Sequence, residues 1–170
     1  VGSEMCIRDS ISAGGMVTTL LEMCFANVDG GLDISLDKFD CEDIIKILLA
    51  ENPGVIVQVS DNHKDDFEDL LDDNGVCYAC IGRPDTSSRK LKVNKGKFTH
   101  EFDIDAMRDV WYKTSYLLDR DQSMNGCAEA RRDNYKKQPL VMKFNDSFTG
   151  KLSQFGISAD RREPTGIKAA

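Results

Sequence analysis

The residues best suited to chemistry are Ser12-Ala13-Gly14-Gly15, which open directly into an apolar stretch. Two adjacent glycines let the backbone adopt turns that a side chain forbids, and they leave the amides bare. The first four N–H groups of a helix have no partner inside it, and the helix dipole adds partial positive charge at the same end. A phosphate suits that place. Serine and glycine also suit a plain helix cap. Ser12, Ala13, Gly14 and Gly15 are therefore candidates to bind an anionic phosphate, with a simple cap as the alternative.

Other chemically able residues are less well arranged. Cys77-Tyr78-Ala79-Cys80 is a single CxxC, without a second pair, and the two histidines, His63 and His100, lie apart from it in sequence. A zinc site takes four ligands. The pair also falls in Val76–Ile81, which reads as a strand, where positions three apart point to opposite faces. Asp65, Asp66, Glu68, Asp69, Asp72 and Asp73 crowd one helical stretch and read as a solvated face rather than a cation site. No metal ligand is assigned.

The elements that must position these residues follow from periodicity. Met16, Leu20 and Met23, together with Val17, Leu21 and Cys24, give a wide apolar stripe, so Ser12–Gly15 opens a buried helix that stops at Asn27 and Asp29-Gly30-Gly31. Leu32, Ile34 and Leu36 alternate as a half-buried strand. Asp40 is placed to cap a helix burying Ile44, Ile45, Leu48 and Leu49, ended by Asn52-Pro53. Residues 54–60 form a strand with Val55, Val57 and Val59 on one face. Asn62 begins the acidic helix, with Phe67, Leu70 and Leu71 inward and Asn74-Gly75 closing it.

After the 76–81 strand, Gly82-Arg83-Pro84 reads as a turn. Leu91 and Val93 then face Phe98 and Phe102 in a hairpin across Asn94-Lys95-Gly96. Asp103 caps the longest helix, where Ile104, Met107, Trp111, Ser115 and Leu118 recur, with Trp111 as a core anchor. Ser123 is placed to cap a polar helix carrying Arg131, Arg132, Lys136 and Lys137, as surface charge or as a docking face for an acidic domain. From Gln138-Pro139 periodicity fails, and Phe144, Phe148 and Phe155 are scattered as in a segment lying over other domains. The fold class is α+β, a layered mixed or antiparallel sheet carrying helices.

Composition sets further bounds. The 170 residues suffice for one domain and a linker, and 41% hydrophobic residues allow a normal core. A net charge of −7 argues against a nucleic-acid groove. No apolar run nears the ~18 residues of a membrane span, and no basic-then-apolar leader opens the chain. Six cysteines without such a leader fit a reducing, cytoplasmic setting.

Ser12-Ala-Gly-Gly-Met-Val-Thr-Thr-Leu-Leu-Glu-Met-Cys-Phe-Ala, Glu51-Asn-Pro-Gly-Val-Ile-Val-Gln-Val, Arg108-Asp-Val-Trp-Tyr-Lys-Thr-Ser-Tyr-Leu-Leu-Asp-Arg and Asp160-Arg-Arg-Glu-Pro together resemble the large, glutamine-dependent phosphoribosylformylglycinamidine synthases. The region resembled is the second AIR-synthase-type C-terminal domain, over residues 11–139, and the linker toward the glutaminase, over 140–170. Ile167-Lys168-Ala169-Ala170 resembles the glutaminase's first strand. Met5-Cys6-Ile7-Arg8-Asp9 instead looks like translated sequencing adapter, so residues 1–10 are expected to be a poorly ordered, non-native extension.

The resemblance implies an enzyme that uses ATP and glutamine to turn formylglycinamide ribonucleotide into formylglycinamidine ribonucleotide, with Mg²⁺ and ATP or ADP as cofactors. Its partners here would be the synthetase and glutaminase domains of the same polypeptide. In the family's Asp-x-Ser pattern the nucleotide-contacting Ser falls on Ser12, but the Mg²⁺-binding Asp falls on Ser10, whose hydroxyl is a poor substitute for a hard-cation carboxylate. The resemblance associates this half with a structural ADP, and no turnover is expected of the chain alone. The alternative is a non-catalytic module that holds ADP and braces the glutaminase. Selenophosphate synthetase or thiamine-phosphate kinase would be related choices, but the tail from Phe144 to Ala170 resembles the glutaminase linker, which those enzymes lack.

Overall fold

The computed structural model describes residues 6–137, 145 and 147–156. The chain divides into two compact units, Val1–Lys136 and Lys137–Ala170. The first holds a four-stranded mixed sheet built around β2 (Gly31–Ser35). On one side of β2 lies β4 (Gly82–Asp85), antiparallel; on the other lies β5 (Lys90–Lys95), parallel, with Leu32 opposite Leu91 and Ile34 opposite Val93. The edge strand β6 (Phe98–Asp103) returns antiparallel to β5. A separate two-stranded ribbon joins β1 (Cys6–Ser10) to β3 (Val55–Val59), antiparallel. The α+β class with a mixed sheet is as the sequence implies.

The core forms where the predicted stripe of α1 (Gly15–Phe25) lands. Met16, Val17, Leu20, Leu21 and Cys24 pack with Ile34 and Leu36, with Leu91 and Val93 of β5, with Leu48 of α2 (Ile44–Leu49), and with Ile104, the first residue of α4 (Ile104–Gln122). Each such side chain contributes about 1.5–3 kcal/mol when fully withdrawn from water. Asp103 caps α4 as expected, its Oδ1 accepting the Ala106 amide at 2.8 Å.

Several expectations are corrected. Cys6–Ser10 is ordered as a strand: the Val-rich β3 presents backbone groups that need partners, and the chain before Ile11 supplies them from Cys6↔Val59 to Ser10↔Val55. Asp43, not Asp40, caps α2, accepting the Lys46 amide at 3.2 Å. In so short a helix only Ile44, Ile47 and Leu48 reach the core, and Ile45 and Leu49 point to solvent. In β3 it is Ile56 that packs against the core, while Val55 is exposed. The acidic helix α3 (Lys64–Asp73) follows a short 3-10 turn, Asp61–His63, and Leu70 lies on its exposed side.

No ladder forms over 76–81; the strand begins at Gly82 and includes Pro84. Proline is tolerated there because β4 is an edge strand, paired only with β2. The β5–β6 loop is Gly96-Lys97, flanked by the pair Lys95↔Phe98, so Leu91 faces Phe102 but Val93 faces His100. Beyond its first two turns α4 leaves the core: Trp111 is 51% exposed and Leu118 59%, with Ser115 also exposed. Ser123 ends α4 rather than opening α5 (Cys127–Asn134), its hydroxyl donating to Asp119 Oδ1 at 2.7 Å; Gly126, with φ +85°, precedes α5.

Three of the four predicted surface cations tie α5 and the following turn to α4. Arg131 Nε donates to Asp119 at 2.8 Å, the Arg132 guanidinium lies 4.7 Å from the centre of the Tyr116 ring, and Lys136 binds Asp105. Lys137 is exposed. Buried Arg108 completes this seam between the Tyr112 and Tyr135 rings, 4.6 and 3.7 Å from their centres. In the second unit, Phe148 and Phe155 pair at 6.0 Å, and Gln154 ties a turn by accepting from the Thr149 amide and donating to the Ser147 carbonyl. Phe144 and Ile167–Ala170 lie outside the described residues.

Candidate functional site

The site is built where β1 ends and α1 begins. Ser12 and Ala13 are exposed, Gly14 is half-buried, and Gly15 is buried as the first helical residue. Gly14 and Gly15 adopt φ +87° and +72°, a conformation glycine takes without steric cost. Their small size has a packing cause as well. A Cβ on Gly15 would stand 2.6 Å from the Leu48 carbonyl oxygen, so the glycine lets the end of α2 press against the start of α1. The sequence points to bare amides facing a ligand; Gly15 in fact faces neighbouring backbone.

The amides of this turn are partly engaged. Gly15 N–H donates to the Ser12 carbonyl at 3.0 Å, closing the turn. Gly14 N–H donates to Glu51 Oε1 at 2.9 Å. Thr18 and Thr19 hydroxyls donate back to the Gly14 and Gly15 carbonyls at 3.0 and 3.3 Å. Glu51 is the participant that reading the sequence misses. It stands 37 residues from Gly14, and only its place just after α2 and before Asn52-Pro53-Gly54 could have hinted at it. Ile11 N–H donates to the Gly54 carbonyl at 2.9 Å, so the 51–54 segment is anchored on both sides of Ser12-Ala13.

Two features of the site bear on its ligands. The Gly14 amide, turned out of the helix start, meets a side-chain carboxylate oxygen, that of Glu51. A divalent cation does not fit the same residues. Ser10, where the resemblance would put a carboxylate, carries only a hydroxyl, and neighbouring Asp9 has its Oδ1 on the Ser10 amide at 2.8 Å. Among the described residues, no three His, Cys, Asp or Glu side chains converge.

The remaining candidates are dispersed. Cys77 and Cys80 are free, exposed thiols in the ladderless 76–81 segment. Burial pushes the Cys24 thiol up, and the Arg89 charge only partly offsets it. Among the described residues, no helix is long and apolar enough to cross a membrane.

Comparison with known proteins identifies the chain's family. The family model described as AIR synthase related protein, C-terminal domain, matches residues 6–93, just over half of the chain. Among curated relatives, the phosphoribosylformylglycinamidine synthase of Saccharomyces cerevisiae is 31% identical over 115 residues, 64% of this chain and 8% of its own length. That of Homo sapiens is 29% identical over 133 residues, 75% of this chain and 10% of its own. The Arabidopsis thaliana protein, named as a probable chloroplastic/mitochondrial form, is 30% identical over 128 residues, 74% and 9%. The chain thus spans about a tenth of the length of these relatives. The match runs from β1 into β5, and the chain belongs to the family of AIR synthase related proteins, C-terminal domain.

Proposed function

We propose that this chain is a nucleotide-holding domain of a phosphoribosylformylglycinamidine synthase, the ligase that makes formylglycinamidine ribonucleotide for purine biosynthesis with ATP and with glutamine as amide donor. The observation that carries the proposal is the Gly14 amide, aimed out of a left-handed glycine turn onto an anionic oxygen 2.9 Å away. Ser12 would supply a hydroxyl and Ala13 and Gly14 backbone donors to the phosphates of ATP or ADP, while the Gly15 amide stays with the Ser12 carbonyl. Such donors, fixed in advance, are what phosphoryl transfer asks of a protein. ATP supplies the phosphoryl group that makes an amide oxygen a leaving group. Because the turn lacks a cation-binding carboxylate set, Mg²⁺ in the intact enzyme would be held by residues outside it.

The partners in this reading are the synthetase and glutaminase domains of the same polypeptide, and the chain alone does not turn over. The small share of each relative that it matches supports this, as do the exposed Val110, Trp111, Leu117 and Leu118 of α4. A cytoplasmic location belongs to the same proposal. The engaged Gly14 amide and the missing cation ligands favour a holding role, with ADP bound structurally beside the glutaminase, over direct catalysis. The test is Ser12→Ala in a polypeptide that includes the remaining domains, with retained ADP and ligase rate measured together. Loss of ADP with a smaller, indirect loss of rate is expected; unchanged ADP retention contradicts the assignment.

A further inference from the structure

The sequence holds two Asn-Gly pairs, Asn74-Gly75 and Asn125-Gly126, and the fold treats them differently. Such a pair can react with itself. The glycine nitrogen bonds to the asparagine side-chain carbonyl carbon, its proton passing to solvent, while the Cγ–Nδ2 bond breaks and ammonia leaves. Water then opens the five-membered succinimide at one of its two carbonyls. The product is aspartate, or isoaspartate, in which the main chain runs through the side-chain carbonyl. Glycine permits this because no side chain crowds the attacking nitrogen.

Asn74 ends α3, and Asn125-Gly126 lies between α4 and α5. All four residues are exposed. Both glycines sit at positive φ, +64° and +85°, and nothing stands within 4 Å of where either would carry a Cβ. Solvent access and crowding therefore do not separate the two pairs; hydrogen bonding does. Asn74 Nδ2 donates to the Leu70 carbonyl at 2.8 Å, and the Gly75 N–H donates to the Asp72 carbonyl at 3.0 Å, so the leaving amide and the attacking nitrogen are both tied back to α3. Among the described residues, neither the Asn125 side chain nor the Gly126 N–H has a hydrogen-bond partner. Their turn is closed one residue later, by the Cys127 N–H on the Met124 carbonyl at 3.1 Å.

We propose that Asn125 is a self-modification site of this chain, converting through a succinimide to isoaspartate and aspartate with water as co-reactant, while the fold holds Asn74 back. The product carries a new negative charge and, as isoaspartate, one further main-chain atom at the joint between α4 and α5. The test incubates the 170-residue chain at mildly alkaline pH, folded and in urea. Peptide masses follow the change from amide to acid at each asparagine, and isoaspartate is read by methyl transfer from an isoaspartyl methyltransferase. Each hydrogen bond that must first be released slows ring closure about five-fold, so Asn125 in the folded chain should convert about 25 times faster than Asn74. In urea, where those bonds are gone, the two rates should come together. Asn125→Gln, whose longer side chain cannot close a five-membered ring, should remove the methyl incorporation of the folded chain. Folded-state conversion of Asn74 as fast as that of Asn125, a gap that persists in urea, or an Asn125 that stays intact in the folded chain each overturns the proposal.

Discussion

Arg89 shows how much a single side chain can organise. Its guanidinium donates to the carbonyls of Cys24, Asn27, Asp29 and Gly30, closing the C-terminal end of α1, and its Nε reaches Asp105 at 3.1 Å. Removing one side of a largely buried ionic network costs about 3–5 kcal/mol, so Arg89→Ala should lower the urea midpoint sharply. Arg89→Lys should recover only a minor part, since one ammonium cannot serve the same fork of acceptors; full recovery would show that charge alone matters. Asp105 adds a pH dependence. Burial by itself would raise its pKa, but hydrogen bonds from Lys136, Arg89 and Tyr135 outweigh this and hold it below the ordinary carboxylate value. A depressed folded pKa contributes stability above about pH 4, the unfolded value, and that contribution is lost as pH falls through the folded one. Urea titrations below about pH 4 should therefore show a steeper loss for wild type than for Asp105→Asn; parallel curves would contradict the network. Neither Arg89 nor Glu51 was legible in the sequence. Each acts on backbone groups dozens of residues away, and periodicity records only which face of an element is apolar. That Ser12–Gly15 turns into a helix is legible, because glycine pairs and helix starts leave local marks.

Among the elements, those with strong periodicity were read well, and those decided by sheet position were not. The stripe of α1 landed on the core as spaced, and Leu91 and Val93 are fully buried. Val76–Ile81 has β-forming residues but forms no ladder, its Ile81 carbonyl only accepting from the Ser35 amide, while Gly82–Asp85, with its proline, lies beside β2 and takes the ladder. Propensity cannot tell which of two neighbouring stretches will reach an open edge. The α1–α2 contact gives a paired prediction. In Gly15→Ala the new methyl meets the Leu48 and Leu49 backbone under 3 Å away, at a φ of +72°, and the change should cost about 2–4 kcal/mol. Gly96→Ala, also at positive φ in the β5–β6 loop but with nothing within 4 Å of its Cβ, should cost only about 1 kcal/mol. Denaturant midpoints decide it, and equal costs would mean that conformation alone, not close packing, explains Gly15.

At the scale of the whole molecule, α4 presents Val110, Trp111, Leu117 and Leu118 to solvent. Trp111 is the single tryptophan; it leans on Phe25 at 5.3 Å and donates to Glu22 at 2.7 Å, yet half of it faces solvent. Its fluorescence in the isolated chain should be readily quenched by acrylamide, and a longer polypeptide in which every other tryptophan is replaced should protect it. Undiminished quenching there would contradict the proposal that partner domains cover α4. The proposed function has nucleotide resting on the Ser12–Gly15 turn. Hydrogen–deuterium exchange of the complete polypeptide, with and without saturating ADP, tests it most directly. The expected result is slowed exchange in a peptide covering residues 11–17; ADP bound with unchanged exchange there, and protection confined to other segments, would contradict it.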